Sequence, residues 1–208
     1  MARAPYRKSV FVNCPFDDNY APLFDALIFT IHDCGFVARC TLEIDDGGVV
    51  RSETLFRMMS ECKYGIHDIS RTELDPVNNL PRFNMPFEMG VFLGACHFGN
   101  RTQKEKVCLI LERNRYGYQK YCSDIAGQDT RAHNNHIPTL VKAVRDWLRN
   151  SIAERGVRLP SGKRMAKRYQ QFLAELPVLC LHLNLDVDDL LYSEYTDLVV
   201  GWLDANRW

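Results

Sequence analysis

Between Arg82 and Gly99 the sequence reads RFNMPFEMGVFLGACHFG, and Glu88 stands alone there as an acid in a stretch almost wholly apolar, small or aromatic. Taking an ionised carboxylate out of water without a partner costs several kcal/mol, so its presence needs a reason. Two roles fit. An exposed acid near a helix start complements the helix dipole, which contributes about 0.3–1 kcal/mol. A carboxylate held in an apolar-lined crevice instead serves a reaction in which positive charge develops. With Asn84 as N-cap, Pro86 falls in the first turn and Glu88 at about the fourth helical position, one too far for a capping box. Gly90 and Gly94 flank Val91 to Leu93, a pattern expected to let this helix lie close to a sheet and turn its first turn toward a crevice.

Positioning that acid requires a scaffold, and the preceding sequence supplies a regular one. SVFVNCPF (9–16) is β-rich and ends at Pro15. DDNYAPLFDALIFTIHDCG (17–35) has Asp and Asn cap candidates, Pro22 in its first turn and Gly35 as its stop, which predicts a helix. FVARCTLEI (36–44) is a second strand, VVRSETLFRMMSEC (49–62) a second helix, YGIHDIS (64–70) a third strand, the Glu88 stretch a third helix and KVCLILER (106–113) a fourth strand. This β-α-β-α-β-α-β order predicts an α/β fold with a flavodoxin-like, doubly wound parallel sheet. Ligands of such sheets bind beyond the carboxyl ends of the strands, where the winding reverses. The residues delivered there are Asn13 to Asp18, Arg39 to Glu43, Asp68 to Arg71, and the helix start with Asn84 and Glu88.

From Arg113 onward the chain turns polar, with a short helix expected near 118–126. An amphipathic helix at 137–155 completes the α/β layer. Helical patterns at 163–176 and 186–208 follow, the last with an apolar stripe through Val187, Leu190, Leu191, Tyr195, Leu198, Val199 and Trp202. The segment 156–164 reads as a seam, dividing an α/β domain (1–155) from a helical C-terminal segment (156–208) that packs on it or mediates assembly.

Composition narrows the function. Formal charge is zero over 208 residues, so no global field draws the chain to nucleic acid or an anionic membrane, and no apolar stretch has the length of a membrane span. Eight cysteines without a C-x-x-C pair, mostly inside apolar segments, read as free thiols and imply a cytoplasmic location. The HNNH run (133–136) offers two histidines but no third ligand, so no metal site is assigned. KRMAKR (163–168) reads as the wet side of a helix, and His67 as a hydrogen-bonded core histidine. No glycine-rich phosphate loop occurs.

Arg82, Asn84, Glu88 and Gly90 in RFNMPFEMG carry a resemblance: the segment is similar to one in TIR-like predicted nucleotide-binding proteins and to the F/W-E-x-G segment of nucleoside 2-deoxyribosyltransferases, whose glutamate is the nucleophile. SVFVNCPFDD and SECKYGIHDIS resemble the first and third strands of those folds, so the likeness spans about residues 9–112. The first loop departs from it, with Asn-Cys-Pro-Phe in place of a Gly-Pro-Phe turn. The resemblance implies cleavage of an N-glycosidic bond in a nucleotide, nucleoside or NAD, with Glu88 as the catalytic carboxylate. Asp68 and Ser70 would then face the sugar, Asn13 and Phe16 the base or ribose, and Arg39, Arg71, Arg82 and Asn84 would complete the substrate site, the arginines on phosphate. No cofactor is implied, since NAD or a nucleotide would be the substrate. The resemblance further implies a homo-oligomer, for which the last helix with Trp202 and Trp208 is the expected surface, and an antiphage defence or cell-suicide role. The alternative is a nucleotide-sensing or TIR-like assembly module that turns nothing over.

Overall fold

The computed structural model describes residues 4–44, 47–71, 74, 79–80, 83–152 and 158–207. Five parallel strands form one sheet: β1 (Ser9–Asn13), β2 (Val37–Arg39), β3 (Tyr64–Asp68), β4 (Val107–Glu112) and β5 (Arg131–Ala132), in the order β2-β1-β3-β4-β5. This is the flavodoxin-like winding, with its reversal between β1 and β3. β5 lies outside the sequence expectation. It is two residues long, pairing Leu111 with Arg131 and Glu112 with Ala132, too short to show a strand period.

Both faces of β1 are covered, which is why its sequence is a continuous apolar run rather than an alternating one. Val10 and Val12 join the larger core, and Phe11 faces a smaller one. The larger core lies under α1 (Ala21–Asp33) and α4 (Ile137–Ser151); the smaller is closed by α2 (Arg51–Ser60) and α3 (Asn84–Phe98). α1 ends as its sequence predicts: Gly35 sits at φ 77°, its N–H reaches His32 O at 2.8 Å, and the Phe36 N–H reaches Ile31 O at 3.2 Å, a Schellman closure. At the amino end of the sheet, buried Lys106 donates to the Met59 carbonyl at 2.7 Å and to the Cys62 carbonyl, placing a cation at the α2 C-terminus.

α3 approaches the sheet by a different device from the one expected. A Cβ built on Gly90 or Gly94 meets nothing within 4 Å, whereas one on Gly65 of β3 would lie 2.6 Å from Phe92. The close approach is a glycine in the strand receiving an aromatic ring from the helix. The α3 N-cap is Phe83, making Asn84 the first helical residue.

The C-terminal segment forms α5 (Gly162–His182) and α6 (Tyr192–Ala205), and α5 runs on past Pro177 rather than ending at 176. The larger core crosses the expected boundary at 155/156. Phe29 of α1 contacts Tyr169, Phe172 and Trp202 at ring separations of 5.3, 5.4 and 5.8 Å. The Arg145 guanidinium holds the Pro160 and Leu159 carbonyls at 2.7 and 2.9 Å, and Arg168 clasps buried Asp33. Within α6 the apolar stripe turns inward at Tyr195, Leu198, Val199 and Trp202, the last 5% exposed and donating to Glu175 at 2.8 Å, while Val187 and Leu191 ahead of the helix stay exposed. Trp208 lies outside the described residues. No helix among the described residues is long and apolar enough to cross a membrane, and all eight cysteines are unpaired thiols.

Candidate functional site

The carboxyl ends of β1 and β3 deliver Asn13 and Asp68 side by side, both buried. The Asn13 amide donates one hydrogen to His67 Nδ1 at 3.0 Å and the other to Met85 O at 2.9 Å. Both donors are committed within the protein, and they rivet β1 to β3 and to the first turn of α3. An acceptor at Nδ1 places the His67 proton on Nε2, which is buried without a hydrogen-bond partner beside the Phe92 ring, 4.9 Å between centroids. Burial, reinforced by the Lys106 charge, pushes the His67 pKa down to about 3 and keeps the ring neutral.

Asp68 anchors a denser network. Its carboxylate accepts from Tyr20 Oη at 2.5 Å, the Ser70 N–H at 2.9 Å and His133 Nε2 at 3.0 Å. Burial opposes its ionisation, but the hydrogen bonds from His133, Ser70 and Tyr20 outweigh that and hold Asp68 below the ordinary carboxylate range. His133 Nδ1 accepts the Asn135 N–H at 3.0 Å, so Nε2 carries the proton and shares it between Asp68 and Ser70 Oγ, 2.8 Å away. Ser70 and Asp68 thus meet the same ring nitrogen. A nucleophilic triad needs them on opposite nitrogens, which removes serine-hydrolase chemistry from this trio. Both His133 nitrogens are occupied and His136 Nδ1 meets Thr139 Oγ1 at 2.8 Å, so the HNNH run is structural in its bonding. Asn134 and Asn135 both take positive φ, 53° and 52°, a backbone that asparagine tolerates better than most residues.

Above this network opens a cleft of about 310 Å³ lined by Asn19, Tyr20, Ser70, Arg71, Arg113 and Asn135. Arg71 makes a two-pronged pair with Asp17, Nη2 to Oδ1 at 2.6 Å and Nε to Oδ2 at 3.1 Å. Ser70 and Arg71, both sequence candidates, line this cleft, with Asp68 directly beneath.

Glu88 is not among the residues lining that cleft. It lies one turn beyond Met85 on α3, on the face riveted to β1, within electrostatic reach of Cys14 and Arg51. The side chain is half-buried and has no hydrogen bond or ion pair among the described residues. Burial pushes its pKa up to about 7, with Arg51 offsetting part of the rise. The other candidates scatter. Phe16 is 42% exposed and stands edge-on to Phe24 at 5.5 Å. Arg39 is clamped by Glu43 at 2.7 Å and lies 3.6 Å from Glu61 at the outer strand. Asn84 is exposed at the α3 start, and Arg82 lies outside the described residues.

Sequence reasoning missed Tyr20, His133, Arg113, Asn19 and Asn135. Tyr20 sits just before α1 and His133 just after β5, so only the wrapped sheet brings them to Asp68. The available signal was the asparagine pair inside HNNH, which marks a sharply turned loop. No family model, curated protein or solved structure matches the chain, so the likeness of RFNMPFEMG to glycosidic enzymes rests on its residues alone.

Proposed function

We propose that the chain cleaves an N-glycosidic bond of a nucleotide, nucleoside or NAD, with Glu88 as the catalytic carboxylate. One observation carries the reading: a half-buried carboxylate beside the carboxyl end of β1, unpaired among the described residues, with its pKa pushed up to about 7. A structural ion pair would have lowered that value. As a base departs, its sugar acquires oxocarbenium character, and a carboxylate lacking a fixed counter-ion gains most when that charge appears. Ionised Glu88 either stabilises the cation or traps it covalently, after which water or an acceptor base attacks the anomeric carbon. The likeness to deoxyribosyltransferases and the reversal of winding beside Asn13 support the same assignment. The unpaired thiols fit a reducing, cytoplasmic setting.

The test is base release from NAD, NADP, nucleosides and 5′-nucleotides, followed chromatographically. Wild type releases base from at least one, and Glu88→Gln reduces release by about 10²-fold or more, the scale on which a charged catalytic group acts. Equal release by both proteins removes Glu88 from the mechanism. A second reading is favoured by the separation of Glu88 from the residues lining the Ser70 cleft: a sensor that binds a nucleotide there intact. Ligand then raises the Tm and is recovered unchanged.

A further inference from the structure

We infer that the cleft over Asp68 is a phosphate-binding subsite, formed by Ser70, Arg71, Arg113, Asn19 and Asn135. Ser70 Oγ accepts the His133 proton, so its own hydroxyl hydrogen is left to point elsewhere, and the residue borders the cleft. Arg71 commits two of its N–H groups to Asp17 and retains three. Arg113 is a second arginine lining the same cleft. The side-chain amides of Asn19 and Asn135 make no hydrogen bond among the described residues, and both line the same space. Beneath the cleft Asp68 already accepts from three donors, Tyr20 among them, and the Asn19 and Asn135 amides can each turn an NH2 group toward the space.

A cleft lined by two arginines, with the Ser70 hydroxyl, the remaining Arg71 N–H groups and the Asn19 and Asn135 amides as donors not committed elsewhere, complements a ligand group that only accepts, which is the character of phosphate. The volume, about 310 Å³, lies at the small end of ligand sites, matching a sugar phosphate or a pyrophosphate rather than a whole dinucleotide. The site is pre-set from below. His133 fixes the Ser70 hydroxyl, and through the Asn135 N–H it fixes the left-handed turn that aims Asn135 inward. The substrate class this names, a phosphorylated nucleotide rather than a free nucleoside, rests on the glycosidic reading of Glu88. The binding itself does not.

The experiment titrates wild-type protein with ribose 5-phosphate, inorganic phosphate and ribose, read by Tm and calorimetry. Ribose 5-phosphate raises the Tm and ribose does not. A matching response to inorganic phosphate assigns recognition to the phosphate alone, and a weaker one extends the subsite to the sugar. Asn135→Gly keeps the positive φ while deleting the amide, and Arg113→Gln removes the charge; each weakens ribose 5-phosphate by about tenfold, the scale of one hydrogen bond to a charged group. Equal shifts from ribose and ribose 5-phosphate overturn the assignment, as does no shift at concentrations on the order of 10 mM. Glu88→Gln separates the two proposals. A phosphate response retained where no base release is ever found rejects the glycosidic reading and keeps the subsite. Glu88-dependent release without a phosphate response does the reverse.

Discussion

Replacing Glu88 with glutamine should make the protein more stable above neutral pH while reducing the proposed base release. Folding raises the Glu88 pKa from 4.5 to about 7, so the folded state binds the proton more tightly than the unfolded chain does. Stability contributed by that group is complete below pH 4.5, falls as pH rises, and is fully lost above about 7. A displacement of that size corresponds to about 3 kcal/mol, which partial contact with water reduces to about 1–2 kcal/mol. Glutamine keeps the shape without the charge and escapes the penalty. Urea unfolding of both proteins at pH 4 and pH 8, about half a pH unit below the lower pKa and one unit above the higher, measures it: the difference in free energy should be near zero at the lower pH and about 1–2 kcal/mol in favour of Glu88→Gln at the higher. Asp25, whose burial lifts its pKa to about 6, titrates in both proteins and cancels in the comparison. On the proposed glycosidic role, which needs Glu88 ionised, base release by wild type rises with pH through the same midpoint. A difference between the proteins that is the same at both pH values, or that favours wild type at pH 8, refutes the claim that Glu88 is desolvated and unpaired.

Four other substitutions follow from the packing. Gly65→Ala drives a methyl group into Phe92 and should cost about 1–3 kcal/mol, whereas Gly94→Ala, with open space around it, should be neutral or stabilise by up to about 1 kcal/mol; thermal unfolding of the pair checks both. Asp68→Ala strands the Tyr20 hydroxyl, the Ser70 N–H and His133 together, with an expected loss of about 3–5 kcal/mol read by urea denaturation. Trp202→Ala empties the aromatic contact with Phe29 and Phe172 for about 3–5 kcal/mol, lowering the Tm by ~2–4 °C for each of those kcal/mol.

The sheet was readable in the sequence because its central strands are buried on both faces and its helices carry their own start and stop signals, as at Pro22 and Gly35. What escaped was set by contacts distant along the chain. β5 is held by two residue pairs with β4 and has no pattern of its own. The glycine that lets α3 approach is in the strand, and a lone glycine in a strand looks no different from one in a helix until Phe92 is seen against it. For the site, Glu88 and Asp68 stood out because acids are rare in apolar surroundings. Asn13 was placed correctly at the strand end, yet its amide is occupied by His67 and Met85, a bonding no spacing reveals. Arg39 and Arg71 were visible as cations, but only the fold shows Glu43 beside one and Asp17 beside the other.

The aromatic contact between α1 and the two last helices has a reach beyond packing. α1 begins at Ala21, directly after the tyrosine that grips Asp68, and its outer flank is sheathed by Tyr169, Phe172 and Trp202. Cutting the chain after residue 155 would strip that sheath and leave Phe29 facing water. Residues 1–155 are therefore no transplantable cassette, because the helix that follows Tyr20 owes the cover of one flank to the last two helices.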